Sequence, residues 1–286
     1  MRFLRWFRHG WNRLSSGTVA GSIALAVVVL VLLLAVLGPF FSPYTATEIV
    51  GVPFSGRSPD HPLGTDFLGR DVLSRVMHGG RAAVFLATAA TAGSYLIGAT
   101  IGLIAGFRGG RVDGVLMRGV DVLLAFPPIL FLLLMASGMG PSAWALLISI
   151  TIIFAPSVAR LIRTATQAVS RSGYVEAAVA RGEGTPRILI REILPNIRAT
   201  VVADAGPRLT FAILLVAAVN YLGLGLRPPQ ADWALMISEN RSGLKLQPWA
   251  LATPAALIAV LTVAVNIVAD QVSNRAHSDA SVEVGV

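Results

Sequence analysis

The sequence predicts an all-α membrane protein with six transmembrane helices, and three observations carry that expectation. Charged residues make up 13% of the chain and hydrophobic ones 55%, whereas a soluble domain carries about 25% charge. Apolar runs near the length of one bilayer crossing, about 20 residues, recur along the whole chain. Between them lie short polar islands rich in arginine. The net charge of +8 would also suit a nucleic-acid binder. The basic residues are dispersed among the islands, however, where positive charge sets membrane topology. Membrane lipid is therefore an expected partner and nucleic acid is not.

Residues 1–18 interleave Arg2, Arg5, Arg8 and Arg13 with Phe3, Trp6, Phe7 and Trp11, a mixture suited to the membrane interface. The run 19–41 reads as an uncleaved first span. A signal-peptide core has about 7–15 apolar residues, and this run is longer and ends in Gly38-Pro39-Phe40-Phe41. A polar segment, 42–81, follows with Pro43, Pro53, Pro59 and Pro62. Within it Asp66, Arg70 and Asp71 are close enough for local ion pairs, and the residues alone read as a turn and a surface amphipathic helix.

The second span is expected at 82–107. Ser94, Gly98, Gly102 and Gly106 recur every four residues, on one helix face. Tight packing inside the bundle is the main reading of such a face, and a hinge is the other. After a turn at Arg108-Gly-Gly-Arg111 the third span is expected at 115–139, kinked or opened by Pro127-Pro128. Arg118 and Asp121 near its start are spaced to pair on one face, in a structural rather than a transport role. The fourth span has its core at 143–158, with Pro156 inside. The fifth, 200–222, opens with Asp204 and Arg208, spaced to pair at i,i+4. A polar excursion, 223–248, holds Trp233, Glu239, Arg241 and Lys245. The sixth span is expected at 249–267, before a short polar tail.

Between the fourth and fifth spans lies the polar island 174–196. Glu176 to Arg181 are good helix formers. Gly182 and Gly184 break that run. Thr185 is placed to cap a second short helix, with Pro186 at its first position, and Pro195 to end it. Two short helices joined by a bend make a knob suited to docking; an ordinary solvated loop is the plain alternative.

Tyr174, Glu176, Ala177, Ala178, Gly182, Leu194 and Pro195 closely resemble the "EAA" loop of permease subunits of ABC importers. Gly64, Thr65, Asp66, Gly69, Arg70, Asp71, Ser74 and Arg75, about 100 residues upstream, resemble the signature of that family's dipeptide/oligopeptide/nickel branch. Leu222-Gly-Leu-Gly-Leu-Arg-Pro-Pro229 with Trp233, and Asn266 with Asp270, are similar to two further stretches of the family. The resemblance implies a type I ABC importer permease fold, in which the EAA loop is a cytoplasmic coupling helix seated in a groove of a separate ATP-binding subunit. It implies as partners a second homologous permease subunit, two ATP-binding subunits and an extracytoplasmic solute-binding protein. Peptides or a related small solute would enter by alternating access. In that frame Glu176 fixes the docked helix by a hydrogen bond or ion pair, Ala177 and Ala178 keep it slim, and Gly182 allows the bend. The expected division is an N-terminal segment, first helix and extracytoplasmic segment over 1–81, a core permease domain over 82–275 and a polar tail over 276–286.

Other chemistries find little support. The chain has no cysteine, and its histidines, His9, His61, His78 and His277, are scattered, so no metal site is expected. Its one lysine, Lys245, stands between Leu244 and Leu246, which rules out a Gly-Lys-Ser/Thr phosphate loop. No cofactor is expected on this chain; ATP and magnesium would be held by partner subunits, and the chain is not itself an enzyme. A membrane-embedded enzyme would need Gly-x-Ser-x-Gly, His-Glu-x-x-His or paired aspartates, and none is present. A secondary transporter or channel is the alternative function. It would need acids near the midplane, and Asp121, Asp204 and Asp270 are expected toward span ends. With six spans both ends share a side with the EAA island, and that side carries about twice the arginine and lysine of the other. Positive charge favours the cytoplasm, so both termini are expected there, in a multi-pass protein of a bacterial-type inner membrane.

Overall fold

The computed structural model describes residues 19–284. The arginine and aromatic stretch at 1–18 lies outside the described residues. The first span is helix α1, Val19–Phe41. Its buried residues Gly21, Ala24, Val31, Ala35 and Gly38 form one stripe at helical spacing, and the remaining face is apolar and open to lipid. Helix α2 runs Val72–Arg108, ten residues earlier than the span expected at 82. At 1.5 Å per residue it is about 55 Å long, well beyond a hydrocarbon core of about 30 Å. Its start is set by Asp71, which caps it by accepting from the Ser74 N–H at 2.8 Å. Gly79 and Gly80 are the floor for Trp233: a Cβ on Gly80 would stand 2.6 Å from the indole. Residues 81 and 82 therefore lie within one continuous helix.

The third span is broken at its proline pair, as expected, and begins earlier than 115. It is α3, Gly110–Leu124, and α4, Pro128–Met139, bent by 84° at Ala125–Pro127. Pro127 and Pro128 lack the N–H groups that would continue α3. The bent pair still makes one crossing. Helix α5, Ala143–Val169, packs parallel to α2: the bare faces of Gly98, Gly102 and Gly106 meet Ala155, Ala159 and Arg163 in the same order. The chain leaves α2 at Arg108, level with Arg163 and Thr166, and re-enters at Ser142, about 20 residues or 30 Å back along α5. The segment 110–139 must cover that distance. Together with the five helices long and apolar enough to span a membrane, it completes six crossings among the described residues.

Helix α6 is Gly173–Ala180. Helix α7 covers 185–196 in three parts: Thr185–Ile188, a π-helical Leu189–Ile193 and Leu194–Asn196. Then come α8, Arg198–Tyr221, α9, Trp233–Asn240, and α10, Trp249–Val284. The polar excursion 223–248 is thus not a surface loop. Trp233, Ala234, Leu235 and Met236 of α9 are buried, and the Trp233 indole N–H donates to the Val76 carbonyl at 2.8 Å. The last helix also runs past 267, the expected end of the sixth span.

Two hydrophobic clusters hold the molecule. The larger joins α1, α2, α5, α8, α9 and α10 and includes Val72, Leu86, Ile150, Val216, Trp233 and Leu261. The smaller lies at the opposite end, beneath the hairpin of α6 and α7.

Candidate functional site

The hairpin of α6 and α7 is built from the spacing of its apolar residues. Val175 and Ala178 point inward from α6, and Ile188, Leu189, Ile193 and Ile197 from α7 and its end. They meet Leu103 of α2 and Val158 and Ile162 of α5. Burying a Leu or Ile side chain contributes about 1.5–3 kcal/mol, so this seam fixes the hairpin to two spans. The other face is open. Tyr174, Glu176, Ala177, Val179, Ile190 and Pro195 are exposed. Ala177 and Ala178 therefore do different jobs: Ala178 is buried against the bundle, and Ala177 looks outward.

Gly182 sits at the bend with φ +75°, a left-handed conformation that glycine adopts at no steric cost. Its N–H donates to the Val179 carbonyl at 2.9 Å and the Glu183 N–H to the Ala178 carbonyl at 3.2 Å. This pair of bonds is the Schellman closure of a helix. Glu183 braces the turn, accepting from Arg181 at 2.7 and 3.0 Å and pairing with Arg187 at 3.2 Å. Those arginines, Arg181 first, hold its carboxyl below the usual range. Glu183 is not among the motif positions, so only its charge among three arginines could have marked it.

Two details of the hairpin differ from expectation. Gly184, not Thr185, is the N-cap of α7, and no side chain caps it. Pro195 does not stop the helix at once: α7 continues to Asn196. The π turn before it explains this. The Leu194 N–H reaches back to the Leu189 carbonyl, and the wider turn shifts the ladder ahead of a residue with no N–H to give. Asn196 Nδ2 donates instead to the Glu192 carbonyl at 2.6 Å.

The upstream signature lies at the far end of the bundle and is buried, not a surface helix. Asp66, Arg70, Arg75 and Glu239 form a charge-balanced knot: Arg70 Nε to Asp66 at 2.7 Å, Arg75 to Asp66 at 2.5 Å and to Glu239 at 2.7 Å, and Arg70 to Glu239 at 3.3 Å. Both arginines are at most 2% exposed. Asp71 does not join these pairs. It caps α2, accepts from the Ser74 hydroxyl at 2.7 Å and lies 3.2 Å from His61. Gly64 and Gly69 take positive φ, and Thr65 donates to the Val52 carbonyl at 2.7 Å. Asn240 accepts from the Phe67 N–H, and Gln247 donates to the carbonyls of Ser55 and Leu63. The signature thus ties segment 42–71 to α9 and the approach to α10. Glu239, Asn240 and Gln247, 160 or more residues downstream of their partners, carry no local sign of that role.

Two intramembrane pairs were expected. Arg118 and Asp121 do not pair. Asp121 instead accepts from Arg160 of α5 at 2.6 Å, and Arg163 makes a two-pronged bond to Asp113 at 2.5 and 2.6 Å. Both bonds tie α3 to α5 and replace the missing continuity at the bend. Asp204 and Arg208 do pair, through two bonds of 2.7 and 2.9 Å. Asp204 is in the first third of α8, toward the hairpin end of that span, and Gly206 beside it meets Ala269 near the end of the apolar run of α10. The Asp204 carboxylate accepts from the Tyr95 hydroxyl, and Tyr95 packs against the cluster beneath the hairpin. With Arg208 bound to it, Asp204 is not a free acid for ion coupling. Among the described residues no group of three or more His, Cys, Asp or Glu is placed to hold a metal.

Six crossings around a tight two-helix spine, with a rigid hairpin presented at one end, define a multi-pass membrane permease subunit. The chain belongs to the family of binding-protein-dependent transport system inner membrane components, whose model matches residues 98–278. It is 34% identical over 250 residues to the oligopeptide transport system permease protein OppC of Bacillus subtilis, covering 87% of this chain and 82% of that one. It is 31% identical to the dipeptide transport system permease protein DppC of Haemophilus influenzae, over 93% and 90% of the two chains. It is 32% identical to the glutathione transport system permease protein GsiD of Pectobacterium atrosepticum, over 92% and 88%. Its fold is similar to a chain of the MetNI methionine ABC transporter in an inward-facing conformation, with a TM-score of 0.57 and 16% identity over 72% of this chain and 96% of that one. The fold is thus that of a type I ABC importer permease.

Proposed function

We propose that this chain is the transmembrane permease subunit of an ATP-driven importer of peptides or a related small solute. A second homologous permease subunit completes the pathway. Two ATP-binding subunits, which hold ATP and magnesium, dock on the hairpin 174–196, and an extracytoplasmic solute-binding protein delivers the solute to the other end. The observation that carries this reading is the mechanical continuity of the hairpin. Its outer face is open for a partner, while Val175, Ala178, Ile188 and Ile193 lock its inner face onto α2 and α5. A partner that moves the hairpin moves both spans, as alternating access requires. Exposed Glu176 and Ala177 are free to meet that partner, and Gly182 sets the angle between the arms. The hairpin, the start of α1 and the far end of α10 share one end of the bundle; the distribution of positive charge supports a cytoplasmic location for that end and for both termini.

The test is Gly182→Val, which the left-handed backbone excludes, in the assembled transporter, read as ATP hydrolysis against uptake. Uncoupled hydrolysis or failed assembly is expected. Normal transport by this variant, or failure of the wild-type chain to associate with an ATPase, overturns the proposal. Impermeant labelling that reached Glu176 from outside the cell would overturn the orientation.

A further inference from the structure

We propose that the recess between α2 and α3 holds one anionic phospholipid, with an acyl chain lying between the two helices and the phosphate on Arg108 and Arg111. This goes beyond the importer reading and needs only that the helices cross a bilayer. Two hollows of about 310 and 480 Å³ run into one another here, both lined by Ile101, Val115 and Leu116. Ile97, Ile101 and Ile104 build the α2 wall and share one helix face with Arg108, three or four residues apart at each step. Val112, Val115 and Leu116 face them from α3. Thr100 is the one uncharged polar side chain of the lining, and its hydroxyl already donates to the Leu96 carbonyl at 2.7 Å. Such a wall offers nothing to a polar solute and suits a hydrocarbon chain.

The recess straddles the edge of the hydrocarbon. Gly102 meets Ala159, where the apolar run of α5 gives way to Arg160 and Arg163. Ile97 and Ile101 therefore lie at or within that edge. Arg108, about 9 Å further along α2, stands at the depth of the phosphates, with Arg111 one turn of chain away. Their charge is unanswered within the chain. Both are exposed, and neither makes an ion pair among the described residues. The two acids of α3, Asp113 and Asp121, are taken by Arg163 and Arg160 of α5. A protein segment in this recess would leave the two cations unbalanced unless it brought an acid to the same depth. An anionic lipid brings its phosphate there with the chain that fills the wall, and basic pockets between membrane helices bind such headgroups.

The experiment takes the complete transporter in detergent, titrates it with phosphatidylglycerol or phosphatidylcholine, and counts retained lipid by native mass spectrometry. The wild type should retain phosphatidylglycerol in preference. Arg108→Gln with Arg111→Gln should weaken that retention by about fivefold for each arginine removed. Arg108→Lys with Arg111→Lys keeps the charge and should keep the preference. Gly119→Trp should lower retention by filling the recess, since nothing stands within 4 Å of a Cβ there; it gives the same comparison should the glutamine pair fail to assemble. A photo-reactive benzoylphenylalanine in place of Ile101 should capture the lipid. Equal retention of the two lipids by the wild type, or retention unchanged by both the glutamine pair and Gly119→Trp, overturns the inference. So does capture of a second permease subunit from position 101, which would mark the recess as a contact between subunits.

Discussion

Gly102 of α2 and Ala159 of α5 approach so closely that a Cβ on the glycine would stand 2.5 Å from the alanine carbonyl oxygen. Gly98 against Ala155 and Gly106 against Arg163 repeat the contact one turn to either side, at 2.6 and 2.7 Å. Four-residue spacing on both helices lets backbone meet backbone along three turns. In a bilayer, where apolar side chains gain nothing by leaving lipid, such close packing is what holds helices together.

Gly102→Ala should therefore destabilise the protein. The gain of about 0.5–1 kcal/mol from replacing a helical glycine is outweighed by overpacking, which costs about 1–3 kcal/mol, because the nearest atom is backbone and cannot turn aside. Gly114→Ala, with nothing within 4 Å, should be neutral or mildly stabilising. Thermal unfolding in detergent distinguishes the two.

Removing Glu239 leaves Arg70 and Arg75 buried against Asp66 alone. Glu239→Gln should cost about 3–5 kcal/mol, the usual loss when one partner of a buried pair is removed. It should also free segment 42–71 from α9. Limited proteolysis between residues 42 and 71 would report that release; unchanged protection would show that the knot does not hold the segment.

At Gly182 the space is open, with nothing within 4 Å of a Cβ, and the demand is on φ. Gly182→Asn should be tolerated, since asparagine visits left-handed backbone. Gly182→Ala should cost about 1 kcal/mol and Gly182→Val more. Coupling of hydrolysis to uptake should fall in the same order.

Asp232 caps α9, accepting from the Ala234 and Leu235 N–H groups at 3.0 and 3.1 Å. Burial pushes its pKa up to about 6. An acid whose pKa is raised on folding stabilises the fold most below its unfolded value, near 4, and loses that contribution as pH rises through about 6. The loss is on the order of 3 kcal/mol. Unfolding measured from pH 4 to 7 should show this slope, and Asp232→Asn, which keeps a capping side chain, should flatten it.

The crossings were legible in the sequence because lipid demands long apolar runs, and such runs need no partner to be recognised. The first span, the small-residue face of the second and the helix-bend-helix of the hairpin follow from local chemistry alone. So does the i,i+4 pairing of Asp204 with Arg208. Tertiary structure decided the rest. Residues 72–81 read as part of a polar segment until Trp233, over 150 residues later, is seen lying across Gly79 and Gly80. Arg70 and Arg75 look solvated until Glu239 arrives from the other excursion. Asp121 lies three residues from Arg118 yet pairs with Arg160, because the break at Ala125–Pro127 turns α3 toward α5. Spacing along the chain specifies which residues share a face; which charge or ring meets that face is set by how the helices cross, and no local pattern encodes it.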